Sequence, residues 1–120
     1  MKIPKTKMYI DGCWVEAESG GTRSIINPAD RTVIVKVSEG NRGDARAAIA
    51  AARRAFDGGG WPSTPAVQRG ELLYRLAGLI ERDREELASL ETLDTGKTVE
   101  ESRWDMDDIA GIFRYYAGLA

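Results

Sequence analysis

The order of its local periodicities constrains this chain most: every segment that reads as a β-strand lies before residue 41, and everything after reads as helix. A parallel sheet needs a crossover that brings the chain back as a further strand. No strand-like segment follows the helices, so no βαβ unit closes within these residues. The expected fold is a small N-terminal β unit over 1–40, followed by three to four α-helices over 41–120.

Met8-Tyr-Ile-Asp-Gly-Cys-Trp-Val15 reads as two short strands about Asp11-Gly12, a pair favoured in tight hairpins. Ser24-Ile-Ile26 and the alternating, β-branched stretch Thr32 to Val37 read as further strands. Between them Asn27-Pro-Ala-Asp30 is a turn in which Pro28 presets φ. Asn41 is a suitable N-cap, with Asp44 in the first turn, and Ala45, Ala48, Ile49, Ala52 and Phe56 fall on one helical face. Asp57-Gly-Gly-Gly60 ends that helix. Thr64 is then expected to cap a second helix with Pro65 at its first position, carrying the stripe Leu72, Leu76, Leu79 and Ile80. Asp83 with Glu86 resembles a capping pair restarting the helix through Leu87, Leu90 and Leu93, and Gly96 suits a left-handed C-cap. A last helix is expected from about Trp104. Its apolar residues Ile112, Phe113, Tyr115, Tyr116 and Leu119 occupy more than one face, which is odd for a terminal helix at a surface.

Composition excludes several classes. With 17 basic and 19 acidic residues among 120, the net charge is −2, too weak a field to recruit nucleic acid or an anionic membrane. Apolar runs are too short to span a bilayer. Lysines near the N-terminus lack an apolar stretch behind them, so no secretory signal is expected. The one cysteine, Cys13, permits no internal disulfide and suits a reducing compartment, with the cytoplasm as the expected location. With no histidine, a Ser-His or Cys-His nucleophile and the usual zinc sites are excluded within the chain. Cys13 reads as a structural thiol, not a nucleophile.

Two glycine motifs fail their required context. Gly96-Lys97-Thr98 imitates the tail of a P-loop, but Glu91 stands where that loop needs glycine, and a helix rather than a strand precedes it. Gly58-Gly59-Gly60 also follows a helix, so it is a loop and not a dinucleotide fingerprint. Two acidic features remain. Asp94 lies where a helix ends among free carbonyls, a setting for a hard cation; the plainer account is a solvated residue at a helix end. Asp105 and Asp108, at i, i+3 beside Trp104, can attract a cationic ligand; the plainer account is acidic residues stabilised by the helix dipole.

Tyr9-Ile-Asp-Gly-Cys-Trp14, Ile26-Asn-Pro-Ala-Asp30, Ala48-Ile-Ala-Ala-Ala-Arg-Arg-Ala-Phe56, Leu90-Glu-Thr-Leu-Asp-Thr-Gly-Lys97 and Arg114-Tyr-Tyr-Ala-Gly118 together resemble, in order, the opening of the aldehyde dehydrogenase superfamily. Trp61 and the run Arg69 to Arg84 continue the likeness, which covers the chain from Met8. Thr98 departs from the family's usual proline.

The resemblance implies an α/β parent fold with a nicotinamide-binding domain, a catalytic domain and an oligomerisation domain. This chain matches the N-terminal part of the cofactor-binding domain (1–120), so the remainder of the aldehyde dehydrogenase chain is its expected partner, together with self-association. The family's cysteine nucleophile, oxyanion asparagine and glutamate base lie downstream, and Cys13 matches none of them. NAD or NADP belongs to the parent enzyme and is not expected to bind this segment alone. The resemblance also implies a monovalent cation, K+ or Na+, held by the carbonyls of Ile25 and Ile26 and the carboxylate of Asp94. Trp104-Asp-Met-Asp-Asp-Ile-Ala110 is similar to the betaine-aldehyde and aminoaldehyde branch, in which residues matching Asp105 and Asp108 line the substrate-channel mouth. The expected function is thus an N-terminal piece, inactive alone, of an enzyme oxidising an aldehyde to its acid; the alternative is a stand-alone helical interaction module derived from that family.

Overall fold

The computed structural model describes residues 6–120. Strands β1 (Met8–Ile10) and β2 (Cys13–Val15) form one antiparallel hairpin. Asp11 and Gly12 both take positive φ, 53° and 78°, the conformation that a two-residue turn needs to follow the strand twist. Strands β3 (Thr22–Ile26) and β4 (Val33–Ser38) form a second antiparallel pair with an irregularity between Ile25 and Ile26. The expected β unit is therefore two separate two-stranded sheets. Helices α1 (Arg42–Gly58), α2 (Ala66–Arg82), α3 (Arg84–Thr95) and α4 (Val99–Ala117) follow, with a 3-10 turn at Trp61–Ser63.

The elements divide into two compact units. One holds the four strands, α1 and the 3-10 turn; the other holds the Asn27–Asp30 turn with α2, α3 and α4. In the first, Asn41 caps α1 in a reciprocal capping box: Asn41 Oδ1 accepts from the Gly43 and Asp44 amides, while Asp44 Oδ2 accepts from the Asn41 amide at 2.8 Å. The other Asp44 oxygen accepts from the Glu18 amide at 3.0 Å, tying the segment after β2 to the helix start. Ala48, Ala51, Ala52 and Ala55 line a shallow groove with Tyr9 and Ile10. The bulky members of the expected stripe, Ile49 and Phe56, stand exposed.

In the second unit α4 packs on α2 and α3 through small residues. Gly70 of α2 meets the Ala117 backbone, and Ser102, fully buried, shares a 2.9 Å hydrogen bond with Thr92 of α3. The buried apolar residues among those described are Ala17, Ala51, Ala77, Ala88, Ala110, Ala117 and Met106. A core of alanines and one methionine removes little apolar area from water. Leucines 72, 76 and 79 of the expected α2 stripe are exposed, and only Ile80 is half-buried.

Three local expectations are corrected. Pro65, not Thr64, occupies the N-cap of α2, without a side-chain cap, and Ala66 is the first helical residue. Asp83 stands at the N-cap of α3 as expected, but its side chain makes no capping hydrogen bond with Glu86 or the helix amides, its carboxylate being paired with Arg82 at 2.7 and 2.8 Å. Helix α4 starts five residues before Trp104: Thr98 caps it, accepting from the Glu101 amide while Glu101 Oε2 accepts from the Thr98 amide at 3.0 Å.

Candidate functional site

The residues with chemical potential gather where α3 gives way to α4. Gly96 stops α3 in the left-handed region, φ 79°, with its amide donating to Thr92 O at 2.9 Å. Its missing side chain matters twice: L-residues are strained at that φ, and a Cβ there would stand 2.9 Å from Pro28 Cγ. The Asn27-Pro28 turn, held by the Ala29 amide donating to Asn27 Oδ1 at 3.0 Å, thus closes against the Gly96 loop. The strand-then-helix context of a P-loop is absent at Gly96-Lys97-Thr98, which join two helices.

Lys97 is the hub that sequence reasoning missed. Its ammonium donates to Glu91 Oε1 at 2.9 Å and to Asp105 Oδ2, joining α3, the loop and α4. Hydrogen bonds to Asp105 and then Glu91 hold its pKa well above the usual lysine value. Arg84 grips Asp107 through both carboxylate oxygens, at 2.6 and 2.7 Å, and Arg103 joins Glu85 at 2.9 Å. Arg114 pairs with Glu81 across α4 and α2. These pairs hold Asp107, Glu85 and Glu81 below the usual carboxylate range, chiefly by hydrogen bonds from Arg84, Arg103 and Arg114.

The candidate residues are therefore not equivalent. Asp105 is half-buried and bound to Lys97, while Asp108, one turn on, is exposed and has no protein partner among the described residues. Trp104 is 61% exposed. Trp104, Asp108, Ile112 and Tyr115 follow the i, i+4, i+8, i+11 line on the side of α4 opposite Met106, Ala110 and Ala117, so both sides of this helix are apolar. Asp94 lies in the last turn of α3 with an exposed carboxylate that has no protein partner among the described residues. Ile25 is half-buried and Ile26 exposed at the irregular step of β3, in the other unit. Among the described residues no three His, Cys, Asp or Glu side chains cluster as a metal site, and no helix is long and apolar enough to cross a membrane. Cys13 is exposed on β2.

A sequence model described as the aldehyde dehydrogenase family matches residues 14–120. Betaine aldehyde dehydrogenase of Bacillus subtilis (strain 168) is 60% identical over 113 residues, which cover 94% of this chain and 23% of the relative. Aminoaldehyde dehydrogenase 2 of Zea mays is 42% identical over 121 residues, 98% of this chain and 24% of that one. The crystal structure of betaine aldehyde dehydrogenase from Staphylococcus aureus in complex with NAD+ superposes with a TM-score of 0.94 at 54% identity, covering 96% of this chain and 23% of that chain. The chain spans about a quarter of the length of these relatives.

Proposed function

The chain belongs to the aldehyde dehydrogenase family, and from that premise we propose that it forms the N-terminal part of the cofactor-binding domain of an NAD(P)-dependent enzyme that oxidises a cationic aldehyde, betaine aldehyde or an aminoaldehyde, to its carboxylic acid. The observation that carries the substrate class is the 60% identity to a betaine aldehyde dehydrogenase, over a segment that includes Trp104, Asp105 and Asp108. Exposed indole and carboxylate groups on one helix suit a quaternary or primary ammonium. In the parent reaction aldehyde and water become acid, a hydride passes to the nicotinamide, and a proton is released.

The described residues do not fit a dinucleotide on their own. Their strand-to-helix passage from β4 to α1, through Glu39-Gly40-Asn41, lacks the G-x-G-x-x-G run that cradles a pyrophosphate, and the Asn41 side chain already takes the Gly43 and Asp44 amides at the helix start. What they supply is a scaffold: the capped α3–α4 junction fixes where Trp104, Asp105 and Asp108 sit, and the catalytic and oligomerisation domains belong to the rest of the parent chain. A monovalent cation, K+ or Na+, suits a hard oxygen donor such as Asp94; its exposed carboxylate, without a protein partner among the described residues, supports this reading. The unpaired Cys13 supports a cytoplasmic location.

A full-length protein carrying this segment is expected to reduce NAD(P)+ in the presence of betaine aldehyde or an aminoaldehyde, read at the nicotinamide absorbance. Absence of turnover with every aldehyde tested would reject the reading in favour of an interaction module. The 120-residue chain by itself should show neither turnover nor micromolar NAD binding in calorimetric titration.

A further inference from the structure

We propose that in the 13.2 kDa chain the outer side of α4 is covered by the outer side of α1 of a second copy, a head-to-tail contact between two different helix faces. This association does not depend on which aldehyde the parent enzyme oxidises.

Helix α1 is turned inward at Asp44 and Ala51, its buried residues. Arg42, Arg46, Ile49, Arg53 and Phe56 follow the i, i+4, i+7, i+11, i+14 line on the opposite side. Ile49 and Phe56 are 69% and 54% exposed, and the Arg53 guanidinium lies 4.7 Å from the centre of the Phe56 ring. Arg42 and Arg46 are exposed and have no protein partner among the described residues. The helix holds four arginines against two aspartates, of which Asp44 is buried in the capping box and Asp57 pairs with Arg53. Its outer stripe is therefore basic and apolar. Helix α4 is the reverse: five acidic residues stand against two arginines, Arg103 and Arg114, and both are already paired. Its outer line of Trp104, Asp108, Ile112 and Tyr115 is aromatic, with Asp108 exposed and unpaired among the described residues.

Each stripe supplies what the other lacks. Unpaired arginines match the Asp108 carboxylate and the exposed rings of Trp104 and Tyr115, on which a guanidinium stacks. Ile49 and Phe56 offer Ile112 an apolar cover. Like pairings are disfavoured: α1 on α1 opposes arginine to arginine, and α4 on α4 opposes Asp108 to its own copy. A contact between unlike faces leaves one α1 stripe and one α4 stripe open at the ends of every pair, so association continues past the dimer unless a ring closes.

The test uses the 120-residue chain and two variants, each with one face disabled. Arg42→Glu with Arg46→Glu reverses the α1 stripe, and Ile112→Lys with Tyr115→Lys charges the α4 stripe. All four side chains are exposed, so helical circular dichroism should be retained. In light scattering the parent chain should exceed twice 13.2 kDa at high concentration. Its association constant should fall at least threefold between about 0.05 and 0.5 M salt. Each variant alone should be monomeric, and their equimolar mixture should form a 1:1 pair that stops at twice 13.2 kDa, because each brings one intact face. Self-association of Arg42→Glu with Arg46→Glu would show that α4 pairs with α4 and overturn the proposal. A mixture that stays monomeric would overturn it as well. If the reversed variant loses helicity, Arg42→Gln with Arg46→Gln tests the same face, and undiminished self-association of that variant rejects the proposal.

Discussion

Gly70 of α2 and Ala117 of α4 cross so closely that a Cβ on Gly70 would stand 2.6 Å from the Ala117 carbonyl oxygen. Backbone opposes backbone at this point, so no flexible side chain can yield, and the approach of α4 to α2 depends on the missing methyl. Gly70→Ala is expected to destabilise by about 1–3 kcal/mol through overpacking, more than the gain below about 1 kcal/mol from better helix propensity. Gly78 and Gly111, in the same two helices, face open space. Gly78→Ala and Gly111→Ala should each stabilise by about 0.4–1 kcal/mol. Urea unfolding of the three variants checks the contrast, which a uniform glycine effect would not produce.

Asp44 is buried, 8% exposed, and its two oxygens satisfy the Asn41 and Glu18 amides. Asp44→Ala should therefore cost about 2–3 kcal/mol, because it leaves two amides without their acceptor. Asp44→Asn keeps one acceptor oxygen and should cost less. Asn41→Ala, removing an exposed cap, is expected to cost about 1 kcal/mol. Equal losses for Asp44→Ala and Asn41→Ala in urea unfolding would show that the bond to Glu18 adds nothing.

Much of this local order was legible from sequence because it is set within a few residues. Asp11-Gly12 has one favourable turn geometry, Asn41 with Asp44 forms a capping box at fixed spacing, and Gly96 stops a helix wherever φ must be positive. Thr98-Val-Glu-Glu101 carries the same capping signal and sets the start of α4 five residues before the expected Trp104. What sequence could not show is which of several available partners each charged side chain takes. Lys97 reaches Asp105 across a helix break, Arg84 reaches Asp107 over 23 residues, and Arg82 diverts the Asp83 side chain from its expected capping bond. Spacing made Asp105 and Asp108 equal candidates; only tertiary pairing separates them. The packed side of α4 was missed for another reason: Ser102, Ala110 and Ala117 bury themselves by being small, whereas the larger Ile112, Tyr115 and Tyr116 that dominate a periodicity count remain outside.

The ion pairs predict a sign for acid sensitivity. Glu81, Glu85 and Asp107 titrate below their ordinary values of 4.5, 4.5 and 3.8 because Arg114, Arg103 and Arg84 stabilise the ionised forms. Folded carboxylates of this kind bind protons less readily than unfolded ones, so their contribution is complete above the ordinary values and disappears as pH falls below them. Stability should be flat from neutrality to about pH 5 and decline below about 4.5. All three carboxylates face solvent, so the decline should be modest and shrink in 0.5–1 M salt. Glu81→Gln combined with Asp107→Asn should be less stable than the parent at pH 7 and flatten the acid limb of a denaturation series. An unchanged limb would assign acid sensitivity to other groups.

The two-sided helix α4 predicts association. Its inner side packs through Met106, Ala110 and Ala117, yet Trp104, Ile112 and Tyr115 on the opposite side are 61%, 55% and 65% exposed, with Leu119 beyond the helix end at 64%. Contiguous apolar patches larger than a few hundred Å2 are uncommon on monomers and mark surfaces that another surface covers. In a relative about four times longer the rest of the chain is available to do so; in the 13.2 kDa chain a second copy is the available cover. Light scattering across a concentration series should give a mass rising from 13.2 kDa towards at least twice that value. Ile112→Lys with Tyr115→Lys places two like charges in the stripe and should return the chain to the monomer mass without loss of helical circular dichroism, since neither side chain is buried. Supplying the complementary segment of a betaine aldehyde dehydrogenase should compete with self-association, if the same side of α4 serves both. A constant monomer mass up to millimolar concentration would show that this face is stable in water as it stands.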